Sequence, residues 1–567
     1  MQGPPTGAAL APDLPGPSGR GEGGRPGTTS SFSSDLAVLW MVAAALAIAV
    51  VAGLRAGPFS PPEVRGGGPA APLEGLSRGL GLEGLGPNAA ELLGIGIMAF
   101  AVLGFLYALR EAWRGHLSLR LVLGLGIAFQ VATLALPLLL SRDVYSYAMY
   151  GRIAALHHAN PYVATPQDFP GDPLFALVGP VWRTTPAVYG PAFTMLASFL
   201  SSLFRSPATI VLAFKVVAVL ASVGVTVLVG RLARRLAPGR EAFAVALFAW
   251  NPAVVAYAVA GGHNDLLVAL CIAGALALLV PRASPSRGGH VRLAALDDGL
   301  GRRALAATAL LTVGTLVKAS AAVALVLAVV AIVAASPRAR RLRTAAAHVG
   351  IVVLVSAAFA APFFQTHDPT LGIATLATHR GWITPTRLLL ATLGGLGETF
   401  GGSGGRTAVE LVIRLAMVGA ALYALAMVAR GLARRSPGLP AAALGAGWGW
   451  AMLVFILAAP VLLPWYVVWV LPVAWLLPRR GLAVAVGLSA VLAMFHTMVE
   501  PQHTRQLYAV VLAIGHDVVG PVLLAILVWL LLHLRVRGGV PDLLGDLDLD
   551  AAPAAASHRV AARSEDD

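Results

Sequence analysis

The chain has 567 residues, 57% of them hydrophobic and only 12% charged, and its mean hydropathy is +0.77. A water-soluble chain of this length needs far more charge to cover its surface, so a soluble globular protein is excluded. The net charge of +14 sits in short arginine clusters between apolar runs, not in a basic stripe interleaved with aromatics, which argues for membrane orientation and against nucleic-acid binding.

Residues 1–34 are rich in Gly, Pro and Ser and are expected to form a disordered tail. The acidic, Ala-rich residues 538–567 are expected to form another. Between them, 35–537 is expected to be one membrane domain. Apolar runs recur at about 36–54, 92–109, 120–140, 208–230, 241–258, 265–281, 304–317, 320–335, 344–362, 407–430, 440–459, 461–477, 481–498 and 508–533. Most are long enough to cross about 30 Å of hydrocarbon, and none alternates like a strand, so an all-α polytopic body of about fourteen segments is expected. Cys271, the only cysteine, lies inside one of these runs and reads as packing.

With the N-terminus inside, 23 of the 41 basic residues gather in inward loops, among them Arg231–Arg240, Arg338–Arg343, Arg430–Arg435 and Arg479–Arg480. The same rule keeps Ala192–Phe204 from crossing, so the long outer loop at 141–207 is expected to be re-entrant or to lie along the surface. Both tails then face the cytoplasm. Asp143, Tyr189, His263, Asn264, Asp265, Lys318, Arg380, Trp465 and Tyr466 all fall at the outer face. Lys215 and Arg414, near outer helix ends, read as snorkelling cations, and the glycines from Gly401 to Gly405 read as a flexible loop.

The 141–207 loop carries the densest chemistry. Ser141-Arg142-Asp143-Val144-Tyr145-Ser146-Tyr147 leads to Gly151-Arg152, Asn160-Pro161-Tyr162, Asp172-Pro173, Trp182 and Tyr189-Gly190-Pro191. A carboxylate at an outer helix end suits a general base for a sugar hydroxyl. Tyr145, Tyr147, Tyr162, Trp182 and Tyr189 offer flat amphipathic faces for sugar rings. The same residues also read as a helix-end Asp paired with Arg142 among interfacial aromatics.

This run resembles the catalytic outer loop of the GT-C glycosyltransferases. More closely, it is similar to the polyprenyl-phosphomannose-dependent α-(1→6)-mannosyltransferases of actinobacterial lipomannan assembly. Asn251-Pro252 followed by Gly261-Gly262-His263-Asn264-Asp265 fits the same family. The resemblance implies a GT-C-type fold and an acidic catalytic base at Asp143. It also implies polyprenyl-phosphate mannose as donor, a lipid-anchored mannan as acceptor, and inversion from a β-linked donor to an α product.

The remaining polar positions divide between the two substrates. His263, Lys318 and Arg380 are the candidates for the donor phosphate, since cations grip phosphate oxygens and a lysine at that depth needs a partner. Asn264 and Asp265 join the tyrosines and Trp182 as acceptor candidates, although Asn264 also suits a helix cap. His367, Asp368, His379 and His503 share the outer side but match no compact metal-ligand spacing, so no metal site is assigned. A GT-C enzyme using another sugar, such as arabinofuranose, is one alternative, and a transporter or flippase of a polyprenyl-linked sugar is the rival class. It would place its polar groups near the bilayer midplane rather than at one end.

Overall fold

In the computed structural model the described residues are 28–54, 58–59, 74–280, 301–364, 383–436, 438–499 and 505–536. Their secondary structure is helical, with no strand among them. The longer helices, numbered along the chain, are α1 Thr28–Ala52, α2 Pro87–Trp113, α3 Leu119–Ala132, α4 Asp143–Ala155, α5 Pro191–Leu203, α6 Pro207–Leu236, α7 Glu241–Ala249 and α8 Asp265–Leu279. They continue as α9 Arg302–Val317, α10 Ala322–Ala335, α11 Arg341–Ala360, α12 Pro385–Arg435, α13 Ala441–Ala458, α14 Arg479–Val499, α15 Arg505–Ile514 and α16 Gly520–Val536. Helix α1 starts at Thr28, so residues 28–34, expected in the disordered tail, are helical.

Seven of these helical stretches are long and apolar enough to cross a membrane: Phe32–Ala52, Asn88–Trp113, Pro207–Leu236, Arg338–Phe363, Pro385–Arg435, Ala441–Ala458 and Ala509–Leu534. Helix α13 is the centre of the body. It is apolar all round and buried along nearly its whole length, and its small residues Gly445, Gly447 and Gly449 admit Leu476, Val428, Leu432 and Leu477 at close range. Helices α11 and α12 instead expose Val349, Val353, Leu354, Leu411, Val412 and Leu415. Such an apolar perimeter around a packed interior suits hydrocarbon rather than water.

Three expected segments take other forms. The run at 241–258 breaks at Asn251-Pro252, where α7 meets a π-helical stretch, Ala253–Val259, at 43°. Pro252 has no N–H to donate, and Asn251 fills the break by accepting from Ala253 N and donating to Ser489 Oγ, both at 3.0 Å. The run at 461–477 is not one helix. Pro464 and Pro472 divide it into a 3₁₀ stretch, Pro464–Trp469, and a short turn, Leu471–Ala474, and irregular backbone is tolerated because the segment is buried in protein.

The third is the expected flexible loop around Gly401–Gly405, which is a tight reversal inside α12. Gly402 has φ 58° and ψ −153°, a region open essentially to glycine alone. Across it, Gly397 and Gly405 approach so closely that a Cβ on either would strike the other's carbonyl. Gly397 and Gly405 serve that contact, and Gly402 supplies the backbone angle that makes it.

Lys215 also differs from expectation. It is buried in α6 and donates to the carbonyls of Thr133 (2.7 Å), Leu136 (2.5 Å) and Pro137 (3.2 Å), where α3 runs out of internal partners. Arg414 pairs with Glu410 at 2.9 Å on the same helix.

Candidate active site

The turn before α4 is strained. Leu140 has φ 58°, left-handed backbone that a branched side chain adopts at a cost of about 1–2 kcal/mol, and its N–H is held by the Phe59 carbonyl at 2.9 Å. Three residues on, Ser141 Oγ accepts from Asp143 N at 3.2 Å and starts the helix. Asp143 therefore sits in the first turn of α4, with its side chain 21% exposed. A carboxylate there is stabilised by the helix N-terminus while keeping access to solvent.

Helix α4 is fixed against α5 by close backbone contact. A Cβ at Gly151 would overlap the Ala197 carbonyl, and Ser201 Oγ donates to the Ala148 carbonyl at 3.2 Å. Gly190 likewise lies against Leu316, and its N–H reaches the Val317 carbonyl at 3.1 Å, which brings the end of the loop beside Lys318. Arg152, Asp172 and His157 lock the middle of the loop: Arg152 Nε and His157 Nε2 reach Asp172 Oδ2 at 2.8 and 2.9 Å. Burial raises the Asp172 carboxyl, but hydrogen bonds from Leu174 N, His157 and Arg152 outweigh it and hold the group below its ordinary value.

His263 reaches the same place from the far end of the broken helix. Gly262 has φ 67°, and a Cβ on it would collide with Val144, the neighbour of Asp143. His263 Nδ1 then lies 3.6 Å from Asp143 Oδ2 and 3.4 Å from the Tyr147 hydroxyl, while its ring stacks on Trp465 at 3.8 Å. The Tyr147 hydroxyl also reaches Asn264 Oδ1 at 3.4 Å.

Beside this pair lies a second ionic centre. Asp265, fully buried, accepts from Lys318 Nζ and from Trp469 Nε1, each at 2.8 Å. The ammonium sits 4.6 Å from the Tyr466 ring and 5.3 Å from that of Trp469. Burial pushes Lys318 down, but the Asp265 carboxylate outweighs it and holds the ammonium above its ordinary value. Burial raises the Asp265 carboxyl in turn, against the lowering pull of the Lys318 ammonium and the Trp469 N–H. Asp265 Oδ2 and Asn264 Nδ2 are buried without a hydrogen-bond partner.

The structure thus brings together Asp143, Tyr147, Tyr189, His263, Asn264, Asp265 and Lys318. Four of the five expected sugar-facing aromatics are used in packing. Tyr147 meets Tyr189 and Phe193 edge-on at 4.8 and 4.9 Å, and Tyr145 is buried. Tyr162 donates to the Tyr189 carbonyl at 2.7 Å and pairs with Thr194 Oγ1 at 2.9 Å. Burial pushes the Tyr145 phenol up to about 12, so it stays neutral. Trp182 is half-buried. Arg380, His367, Asp368, His379 and His503 lie outside the described residues.

Trp469 went unnoticed in the sequence, which placed Trp465 and Tyr466 only at the outer face. The signal was the spacing in Pro464-Trp465-Tyr466-Val467-Val468-Trp469, which in a 3₁₀ turn stacks Tyr466 on Trp469 at 4.3 Å. Among the described residues no group of three or more His, Cys, Asp or Glu side chains converges into a metal-ligand set.

Fold and site together define a helical membrane protein whose acid–histidine centre lies under an aromatic wall. Residues 74–335 match the model of the α-(1→6)-mannopyranosyltransferase N-terminal domain family. An α-(1→6)-mannopyranosyltransferase of Mycobacterium tuberculosis is 29% identical over 401 residues, 63% of this chain and 65% of its own length. The α-(1→6)-mannopyranosyltransferase A of the same organism is 27% identical over 411 residues, 70% of this chain and 72% of its own. The first alignment thus spans just under two thirds of that relative. The chain is a homologue of these proteins, and the resemblance carried by Ser141–Pro191 holds. No solved structure matches it.

Proposed function

We propose that the protein is an inverting glycosyltransferase with a GT-C-type body of about fourteen segments. It moves mannose from polyprenyl-phosphate mannose to an α-(1→6) mannan on a lipid anchor, at the outer face of the plasma membrane, with both tails cytoplasmic. The observation that carries this reading is the Asp143 carboxylate. In a homologue of mannosyltransferases it is the one acidic group of the centre that keeps solvent exposure, while Asp265 is sealed and Asp172 is consumed by Arg152.

The chemistry is a single displacement. Asp143 takes the proton from the acceptor's primary hydroxyl as that oxygen attacks the anomeric carbon, and polyprenyl phosphate leaves from the opposite face with the electron pair of the broken C–O bond. A phosphate leaves without protonation, so a second carboxylic acid is not required. Lys318 and Arg380 are assigned to balance its charge. The test is incubation of purified protein with polyprenyl-phosphate mannose and a short α-(1→6) mannoside, followed by linkage analysis of the product. A new α-(1→6) linkage supports the reading. Movement of intact lipid-linked sugar across a bilayer without transfer would replace it with the transporter.

A further inference from the structure

We infer that His263 and Trp465 are positioning residues for Asp143: the turn at Pro464–Trp469 sets the plane of the His263 imidazole, and the imidazole aligns the carboxylate. This rests on the reading of Asp143 as the base and adds what holds that base in place. It moves His263 from the donor phosphate to the acid's side of the centre.

Three constraints fix the ring. One face lies against the Trp465 indole at 3.8 Å, the two planes 19° apart. The backbone behind it is set by Gly262 at φ 67°, a position that Val144 closes to any Cβ. The Nδ1 edge faces Asp143 Oδ2 at 3.6 Å and the Tyr147 hydroxyl at 3.4 Å. Both His263 and Trp465 are buried, at 1% and 3% exposure, so neither ring has room to swing.

With its hydrogen on Nδ1 the imidazole donates toward Oδ2, which orients the carboxylate that receives the hydroxyl proton. At 3.6 Å the contact is longer than a hydrogen bond, and catalytic contacts of this kind tighten when substrate binds. Trp465 lies outside residues 74–335. The C-terminal half of the chain thus completes a centre whose acid and histidine come from the N-terminal half.

An imidazole N–H pointed at a carboxylate favours its charged form, so losing the alignment raises the pH at which Asp143 becomes a base. The other groups facing the pair are Arg142, Tyr147, Tyr150, Tyr189, Tyr466, Asp265 and Lys318. Burial holds Tyr147, Tyr150 and Tyr189 above their ordinary range.

The test is kcat against pH for the wild type, Trp465→Leu, Trp465→Phe, His263→Phe and the Trp465→Leu/His263→Phe double variant. Trp465→Leu should lower kcat about tenfold and move the acid limb upward, with both KM values within about twofold. Trp465→Phe, which keeps a flat partner, should retain most of the rate. The double variant should be no slower than His263→Phe alone, because both substitutions act through one ring. If Trp465→Leu fails to fold, the limb shift in His263→Phe carries the test. An unmoved acid limb, effects that multiply in the double variant, or a rise confined to donor KM would each overturn the inference while leaving Asp143 as base. A wild type that transfers no sugar overturns both.

Discussion

Lys318 Nζ lies 2.8 Å from Asp265 Oδ1, so the cation assigned to the donor phosphate is already paired with a buried carboxylate. Removing Lys318 alone leaves that carboxylate uncompensated, and breaking such a pair costs about 3–5 kcal/mol. Lys318→Met should therefore melt well below the wild type, and Lys318→Met/Asp265→Asn should recover much of the loss. In the double variant donor KM should stay raised, since a charge-assisted contact to phosphate contributes about 1.5–3 kcal/mol. Melting curves beside donor and acceptor kinetics check this, and normal donor KM in the double variant would place the phosphate elsewhere.

Gly190 rests on the Leu316 backbone, two residues before Lys318. Gly190→Ala forces the α5 start away from α9, and overpacking of this kind costs about 1–3 kcal/mol. Gly171, which faces open space in the same loop, is the control. Thermal unfolding in detergent should show a drop for Gly190→Ala and none for Gly171→Ala; equal stability of the two variants would contradict the close approach.

The Arg152–Asp172–His157 lock gives the loop a pH dependence with a defined sign. The Asp172 carboxyl is depressed, so its contribution is complete above the ordinary aspartate range and is lost as pH falls through the lower folded value. Asp172→Asn should lower stability at pH 7, and its gap to the wild type should close below about pH 4. A constant gap from pH 7 to pH 3 would show that the carboxylate's charge is not what holds the loop. Asp172→Asn is thus not silent, whereas Asp168 only caps the turn at Thr165, and its Asn variant serves as the control for Asp143.

The orientation of the body rests on where the arginines fall. The only cysteine, Cys271, is buried, so single cysteines introduced elsewhere report cleanly. Cysteines at Gly171 and Gly401, both facing open space, should label with an impermeant reagent in intact cells, and one at Gly288 should not. The reverse pattern would invert the topology, and labelling of all three would end it.

What the sequence made legible was the chemistry of each local run, not the way distant runs meet. Asp143 and Gly261–Asp265 stood out because charge and glycine are conspicuous among apolar helices. Their meeting depends on a bend at Asn251-Pro252 that hydropathy alone reads as one straight span. The tyrosines of the 141–207 loop look like sugar platforms in sequence, since an aromatic's partners are not written beside it. In the fold Tyr147 and Tyr162 are spent on Phe193 and Thr194. Pro464–Trp469 was misread for a related reason, since a buried irregular turn and a membrane helix carry the same apolar residues, and only burial against His263 and Asp265 separates them.

The role of Asp143 as base is read out by mannose transfer with purified Asp143→Asn in nanodiscs, beside a donor-binding assay. Asn keeps the shape and the first-turn position but accepts no proton. Folding and donor affinity should be normal with kcat reduced roughly 10²-fold or more, and Asp168→Asn should stay close to wild type. Transfer by Asp143→Asn at near the normal rate would contradict it.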